Sequence, residues 1–148
     1  MRFQSTKNYG HAEGLSCVFR QPGADSHCRF LHGYSLAFKF VFGCQRLDSN
    51  GWVVDFGSLR DLKQYLKDRY DHTLLVDRED PMLAQLMELE RSDLASVRVV
   101  EGVGVEMFAA DALCEAQKLL TEMHGTRCQV VSVECSEHGA NSAIAYAN

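Results

Sequence analysis

Proline is almost missing from this chain: two residues in 148, beside a single tryptophan. With so little proline and its glycines scattered, the sequence has no Pro/Gly linker, and it carries no repeat or low-complexity tract. It reads as one domain spanning 1–148. No apolar run approaches the roughly 18 residues of a membrane span, and the first residues lack a signal-peptide core. A cytoplasmic protein without a membrane partner is the expectation. Positive charge is also short, with 15 Lys and Arg against 20 Asp and Glu and a formal charge of −5. Nucleic-acid binders concentrate basic residues to neutralise phosphates, and none is expected here. The nearest local excess, Arg20, His27 and Arg29, is a candidate for a small anionic ligand or a solvated loop. No CxxC pair occurs among the six cysteines, Cys17, Cys28, Cys44, Cys114, Cys128 and Cys135. Reduced thiols, mostly small core residues, are therefore expected rather than a disulfide framework.

What the chain does have is alternation. SLAFKFVFGC, Ser35 to Cys44, places Leu36, Phe38, Phe40 and Phe42 on one face, as a strand does. Gly14 to Arg20 has the content to end an earlier strand. The turn signal DSNG (Asp48 to Gly51) precedes Trp52, Val53 and Val54, and Asp55 can cap a helix from about Gly57 to Arg69. From Val105 to Met123 an apolar stripe at helical spacing predicts a longer helix. Cys128 to Cys135 and Ser142 to Ala147 read as strands joined by the turn His138 to Asn141. Strands followed by helices, then strands again, predict an α+β fold with helices on one face of an antiparallel sheet.

Four places could carry chemistry. His32 and Tyr34 are two apart at a strand start, so both side chains leave on one face. A second histidine at position 34 would make a metal-chelating pair, whereas a lone histidine is more often structural. Cys28 lies in a polar loop beside His27 and Arg29, and positive neighbours favour a reactive thiol. Asp71 and His72 follow the first helix. A carboxylate can fix a histidine's tautomer for proton transfer, but adjacent residues in a strand point apart, so their pairing requires a turn. Glu134 in the strand Val131 to Cys135 faces either solvent or a pocket, where its carboxylate could accept two hydrogen bonds from a guanidine-like ligand edge.

Taken in order, these pieces resemble the 6-pyruvoyl-tetrahydropterin synthase / 6-carboxytetrahydropterin synthase family. The likeness spans about Gly14 to Tyr146. It rests on Cys28-Arg29-Phe30-Leu31-His32-Gly33 leading into a strand, Gly51-Trp52-Val53-Val54-Asp55-Phe56 leading into a helix, Tyr70-Asp71-His72 after it, and Glu134 in the penultimate strand. The resemblance implies the tunnelling fold: a four-stranded antiparallel sheet with two helices on one face, joined with other subunits into a barrel-like homo-oligomer, a trimer or hexamer. Active sites lie between subunits. It also implies action on the side chain of 7,8-dihydroneopterin triphosphate or a related pterin, with Cys28 moving a proton, Asp71 and His72 completing the relay, and Glu134 anchoring the pterin ring. The alternative is a pterin- or purine-binding member that has lost metal-assisted catalysis; a third is an oligomer with no ligand.

Family members hold zinc with three histidines. Here Phe19 and Tyr34 stand at two of those positions and only His32 remains. Cys17 and His27, with His11 and His138 behind them, are the candidate substitutes, and substoichiometric zinc is expected. The loop Gly102-Val103-Gly104-Val105-Glu106 also departs from the family's usual Pro-Thr or Thr-Thr before the glutamate.

Overall fold

A computed structural model describes residues 1–148. Its organising element is β3 (His32–Cys44), which begins three residues earlier than the alternation predicts. Leu36, Phe38, Phe40, Phe42 and Cys44 are all buried on its inner face. One edge of β3 carries two antiparallel partners. β1 (Phe3–Tyr9) runs from Phe3 opposite Cys44 to Tyr9 opposite Phe38, and β2 (Leu15–Phe19) from Leu15 opposite Leu36 to Phe19 opposite His32. A 3-10 turn at His11–Glu13 separates them, so together they act as one interrupted strand.

Along its other edge β3 meets β6 (Cys128–His138), and β7 (Asn141–Tyr146) closes that side. A bulge opposite Val41 and Phe42 shifts the register of β6. Before it the even positions Cys128 and Val130 are buried; beyond it the odd positions Val133 and Cys135 are. An inserted residue reverses which parity faces inward, so β6 keeps an apolar inner face along its length.

Two helices cover this inner face. Asp55 accepts from the Gly57 N–H at 2.8 Å, opening a 3-10 turn (Phe56–Ser58) that leads into α1 (Arg60–Tyr70). The longer helix, here α3 (Val105–His124), spans nearly the predicted range. Its buried stripe includes Ala109, Ala112 and Ala116. Small side chains there let the helix lie close to the phenylalanines of β3 and still fill the space. Asp111 ties the helices together: the Tyr65 and Tyr70 hydroxyls donate to its Oδ2 at 2.6 and 3.2 Å, and Arg69 pairs with it at 3.0 Å. Gly104, just before α3, has φ +109°, and a Cβ there would stand 2.7 Å from the Gln21 amide nitrogen.

The expected four-stranded antiparallel sheet is present as β1/β2, β3, β6 and β7, with α1 and α3 on one face. Between α1 and α3 the chain adds three elements for which the sequence shows no clear period: β4 (Thr73–Asp77), α2 (Leu83–Arg91) and β5 (Val97–Val100). β4 runs parallel to both β2 and β5, making the seven-stranded sheet mixed. Leu75 joins the main core, while Leu74 and Val76 pack with Leu86 and Val97 in a separate cluster. Alternation along β4 puts these pairs on opposite faces, so α2 covers the reverse side of the sheet at this edge.

A buried ion pair fastens the added edge. Arg20, just past β2, grips Asp80, just past β4, through Nε to Oδ2 at 2.8 Å and Nη2 to Oδ1 at 2.6 Å. The Asp80 side chain is 1% exposed. Arg20 is therefore engaged and does not contribute to an anion site with His27 and Arg29. The Arg20 hydrogen bond holds the Asp80 carboxyl below the ordinary carboxylate range. A carboxyl depressed on folding stabilises above its unfolded value, and that stability fades as pH falls. Asp80→Asn is expected to cost about 2 kcal/mol at neutral pH, less than a fully enclosed pair because Arg20 is partly solvated. Urea denaturation should show the gap between parent and variant closing as the pH is lowered through about 4 and below.

Candidate functional site

The inner face of β3 does not end with the core. Its alternation continues through Tyr34 to His32, half-buried residues at the sheet's open end. Phe19, fully buried on β2, packs against both, with ring centroids 5.2 Å from His32 and 5.9 Å from Tyr34. The His32 and Tyr34 rings stand nearly perpendicular 5.4 Å apart. Behind them Phe19 meets Phe108 of α3 edge to face at 5.2 Å, and His138 lies 6.1 Å from Tyr34. Gly33, between the two rings, passes the neighbouring strand so closely that a Cβ would meet the Cys17 carbonyl oxygen at 3.0 Å. His32 Nδ1 donates to the Phe30 carbonyl at 2.6 Å, which fixes the proton on that nitrogen. Burial raises the Tyr34 hydroxyl above its ordinary value, and Glu137 and Cys28 add to the effect.

Cys28 sits in a 3-10 turn, His27–Arg29, immediately before β3. Ser26 accepts from its N–H at 3.3 Å, and its carbonyl accepts from Gln21 at 2.8 Å. Gln21 in turn donates from its side chain to the Val103 carbonyl at 2.8 Å. The thiol loop and the Gly102–Gly104 loop are thereby joined. Arg29 donates to the Asp25 and Ser26 carbonyls and lies over the Phe30 ring at 4.2 Å, while His27 is exposed.

Asp71 and His72 do pair. His72 takes a left-handed backbone, φ +56°, and this is the turn that brings neighbouring side chains together. Its Nδ1 donates to Asp71 Oδ1 at 2.6 Å, leaving Nε2 as the free nitrogen of an 87% exposed ring. The His72 N–H holds the Ser16 carbonyl at 2.6 Å, anchoring the turn to β2. No hydrogen bond within the chain joins this pair to Cys28. Glu134 lies on the outer sheet face opposite Lys39 and Ile144, half-buried, its Oε1 accepting from the Ser142 hydroxyl at 2.7 Å. The structure thus unites Asp71 with His72 and His32 with Tyr34, and leaves Cys28 and Glu134 apart from the former pair.

Zinc requires three or four N, S or O donors about one point. The residues around His32 do not fit it. Phe19 and Tyr34 fill the face with aromatic rings, and no group of three His, Cys, Asp or Glu converges anywhere in the chain. Cys17 is paired opposite Tyr34 and buried in the main core, with burial raising its thiol to about 12. His11 Nδ1 binds the Ser35 carbonyl at 2.5 Å, and His138 is held by Ala140 and Asn141.

Glu137 and Gln21 were missed in the sequence. Glu137 follows Cys135 by two on the same strand, a spacing that signals a shared face, but a second bulge at the strand's end hides its final direction. Gln21 gave no signal, because its partner is 82 residues away.

The model of one family, 6-pyruvoyl tetrahydropterin synthase, matches residues 10–148. Among curated proteins, 6-carboxy-5,6,7,8-tetrahydropterin synthase of Rickettsia felis is 30% identical over 67 residues, covering 45% of this chain and 49% of that protein. Its Rickettsia conorii counterpart is 32% identical over 62 residues, covering 41% and 45%. The chain spans about half the length of the curated relatives it matches. Among solved structures, an uncharacterised protein from Wolinella succinogenes superposes with TM-score 0.84 at 20% identity, covering 99% of this chain and 98% of that one. The 6-pyruvoyl tetrahydropterin synthase of Plasmodium falciparum superposes at 0.69 with 12% identity, covering 97% and 98%.

Thiol chemistry checks this placement. Iodoacetamide on the native protein should label Cys28, which is half-buried, and Cys114, which is exposed, and spare the buried Cys17, Cys44, Cys128 and Cys135. Mass mapping that found Cys17 labelled while Cys28 stayed free would contradict it.

Proposed function

The chain belongs to the 6-pyruvoyl tetrahydropterin synthase family, and we propose that it acts on the side chain of 7,8-dihydroneopterin triphosphate or a related reduced pterin. The observation that carries this reading is the Asp71–His72 pair. A histidine whose Nδ1 is locked by a carboxylate presents Nε2 as a free lone-pair acceptor, the arrangement of a proton relay. Cys28, set by its turn at the mouth of β3, would as its thiolate take a proton from a side-chain carbon, and His72, protonated at Nε2, would give one to the departing or rearranging fragment. Because Cys28 and His72 do not hydrogen-bond within one chain, the relay would be completed by a neighbouring subunit. Open edges on β1 and β7, each paired on one side only, support assembly into a homo-oligomer.

Glu134, on the outer sheet face and so turned away from the His32–Tyr34 mouth of its own chain, would hold the heterocycle of a ligand whose side chain is met by a neighbouring subunit. Its Oε1 has one lone pair engaged by Ser142, which leaves both oxygens able to accept from the ring N–H and exocyclic amine of a pterin. The second reading, a member that binds a pterin without metal-assisted catalysis, is favoured by the aromatic residues Phe19 and Tyr34 in the expected ligand positions.

Charge-assisted hydrogen bonds are worth about 1.5–3 kcal/mol, so Glu134→Gln should weaken a reduced pterin at least about tenfold in a calorimetric titration. Unchanged affinity would remove Glu134 from the site. Cys28→Ala should retain that affinity and lose turnover; turnover at the parent rate would instead dismiss the thiol.

A further inference from the structure

The rings at the mouth of β3 form a built arrangement that the relay does not use. We infer that the Tyr34 hydroxyl and His32 Nε2, rather than a metal ion, meet the side-chain oxygens of the ligand, as donor and acceptor respectively. This rests on the pterin reading and names the groups that would recognise the side chain.

The two residues share one strand face two positions apart, so backbone geometry sets their spacing, with ring centroids 5.4 Å apart and planes nearly perpendicular. His32 has committed Nδ1–H to the Phe30 carbonyl. In the neutral ring the other nitrogen is therefore a lone-pair acceptor. The Tyr34 hydroxyl donates to no group of the chain, although its ring is half-buried. A free donor beside a free acceptor is the complement of an alcohol, which offers both. Phe19 makes the back wall. It is 2% exposed, touches both rings and is braced by Phe108, so neither ring can turn away into the core. Its apolar surface also excludes water from one side of the pair, which strengthens hydrogen bonds made there. Cys28 and Glu137 both act electrostatically on the Tyr34 hydroxyl.

The test uses two probes with the same ring: 7,8-dihydroneopterin, which carries side-chain hydroxyls, and 6-methyl-7,8-dihydropterin, which carries none. Each is titrated calorimetrically into the parent and into Tyr34→Phe, which keeps the ring and its packing, with and without a chelator. The parent should bind both probes regardless of chelator. Tyr34→Phe should weaken 7,8-dihydroneopterin by about tenfold, the worth of one hydrogen bond, and leave 6-methyl-7,8-dihydropterin unchanged. No weakening, or equal weakening of both probes, would overturn this assignment alone. So would stoichiometric zinc in the parent that is lost in His32→Ala and required for 7,8-dihydroneopterin binding. Failure of the parent to bind either probe would overturn the pterin reading and this assignment with it.

Discussion

One constraint runs through this molecule: the side chains of β3 alternate without interruption for thirteen residues. The strand is hydrogen-bonded along both edges, so it cannot slip, and a one-residue slip would turn every inward side chain out. The phenylalanines that anchor α1 and α3 and the polar rings at the mouth therefore belong to a single row. Core and site are two stretches of the same face. What decides whether a position in that row packs or meets a ligand is only how far it lies from the covering helices.

The parts of the fold that were legible in the sequence are those with a clean period. Leu36 to Phe42 alternate, and Val105 to Met123 repeat at helical spacing; each lies beside one apolar layer and one solvent layer. The segment after His72 has no such contrast. Thr73 to Val76 are all buried, because β4 is covered on both sides, and a continuous apolar run carries no period. β1 failed for the opposite reason: of its seven residues only Tyr9 is buried, so its polar sequence hides its pairing with β3. A strand made by hydrogen bonds to a neighbour is legible only once the neighbour is placed.

The site was legible as residue types but not as partnerships. Asp71 beside His72 suggested a relay, yet the pairing depends on a positive φ at His72 that no local residue demands. It is imposed by the N–H bond to Ser16 and by the need to start β4 against β2. Arg20 carried a charge that suggested an anion, and the structure spends it on Asp80, sixty positions away. The two thiols of this region show the same dependence on context. Cys17 and Cys28 are eleven residues apart, yet one is sealed beneath a helix and the other sits on a turn, so their chemistry differs although their residue type does not.

The bulge in β6 has a consequence for how this chain can vary. Its two halves present opposite parities to the core, and they remain in phase only because one surplus residue lies between them. Deleting a residue from the span between Val130 and Val133 would leave one half in frame and expose the buried residues of the other. An insertion there would do the same. The strand behaves like a message with a compensated frameshift: it tolerates altered letters, but not an altered count.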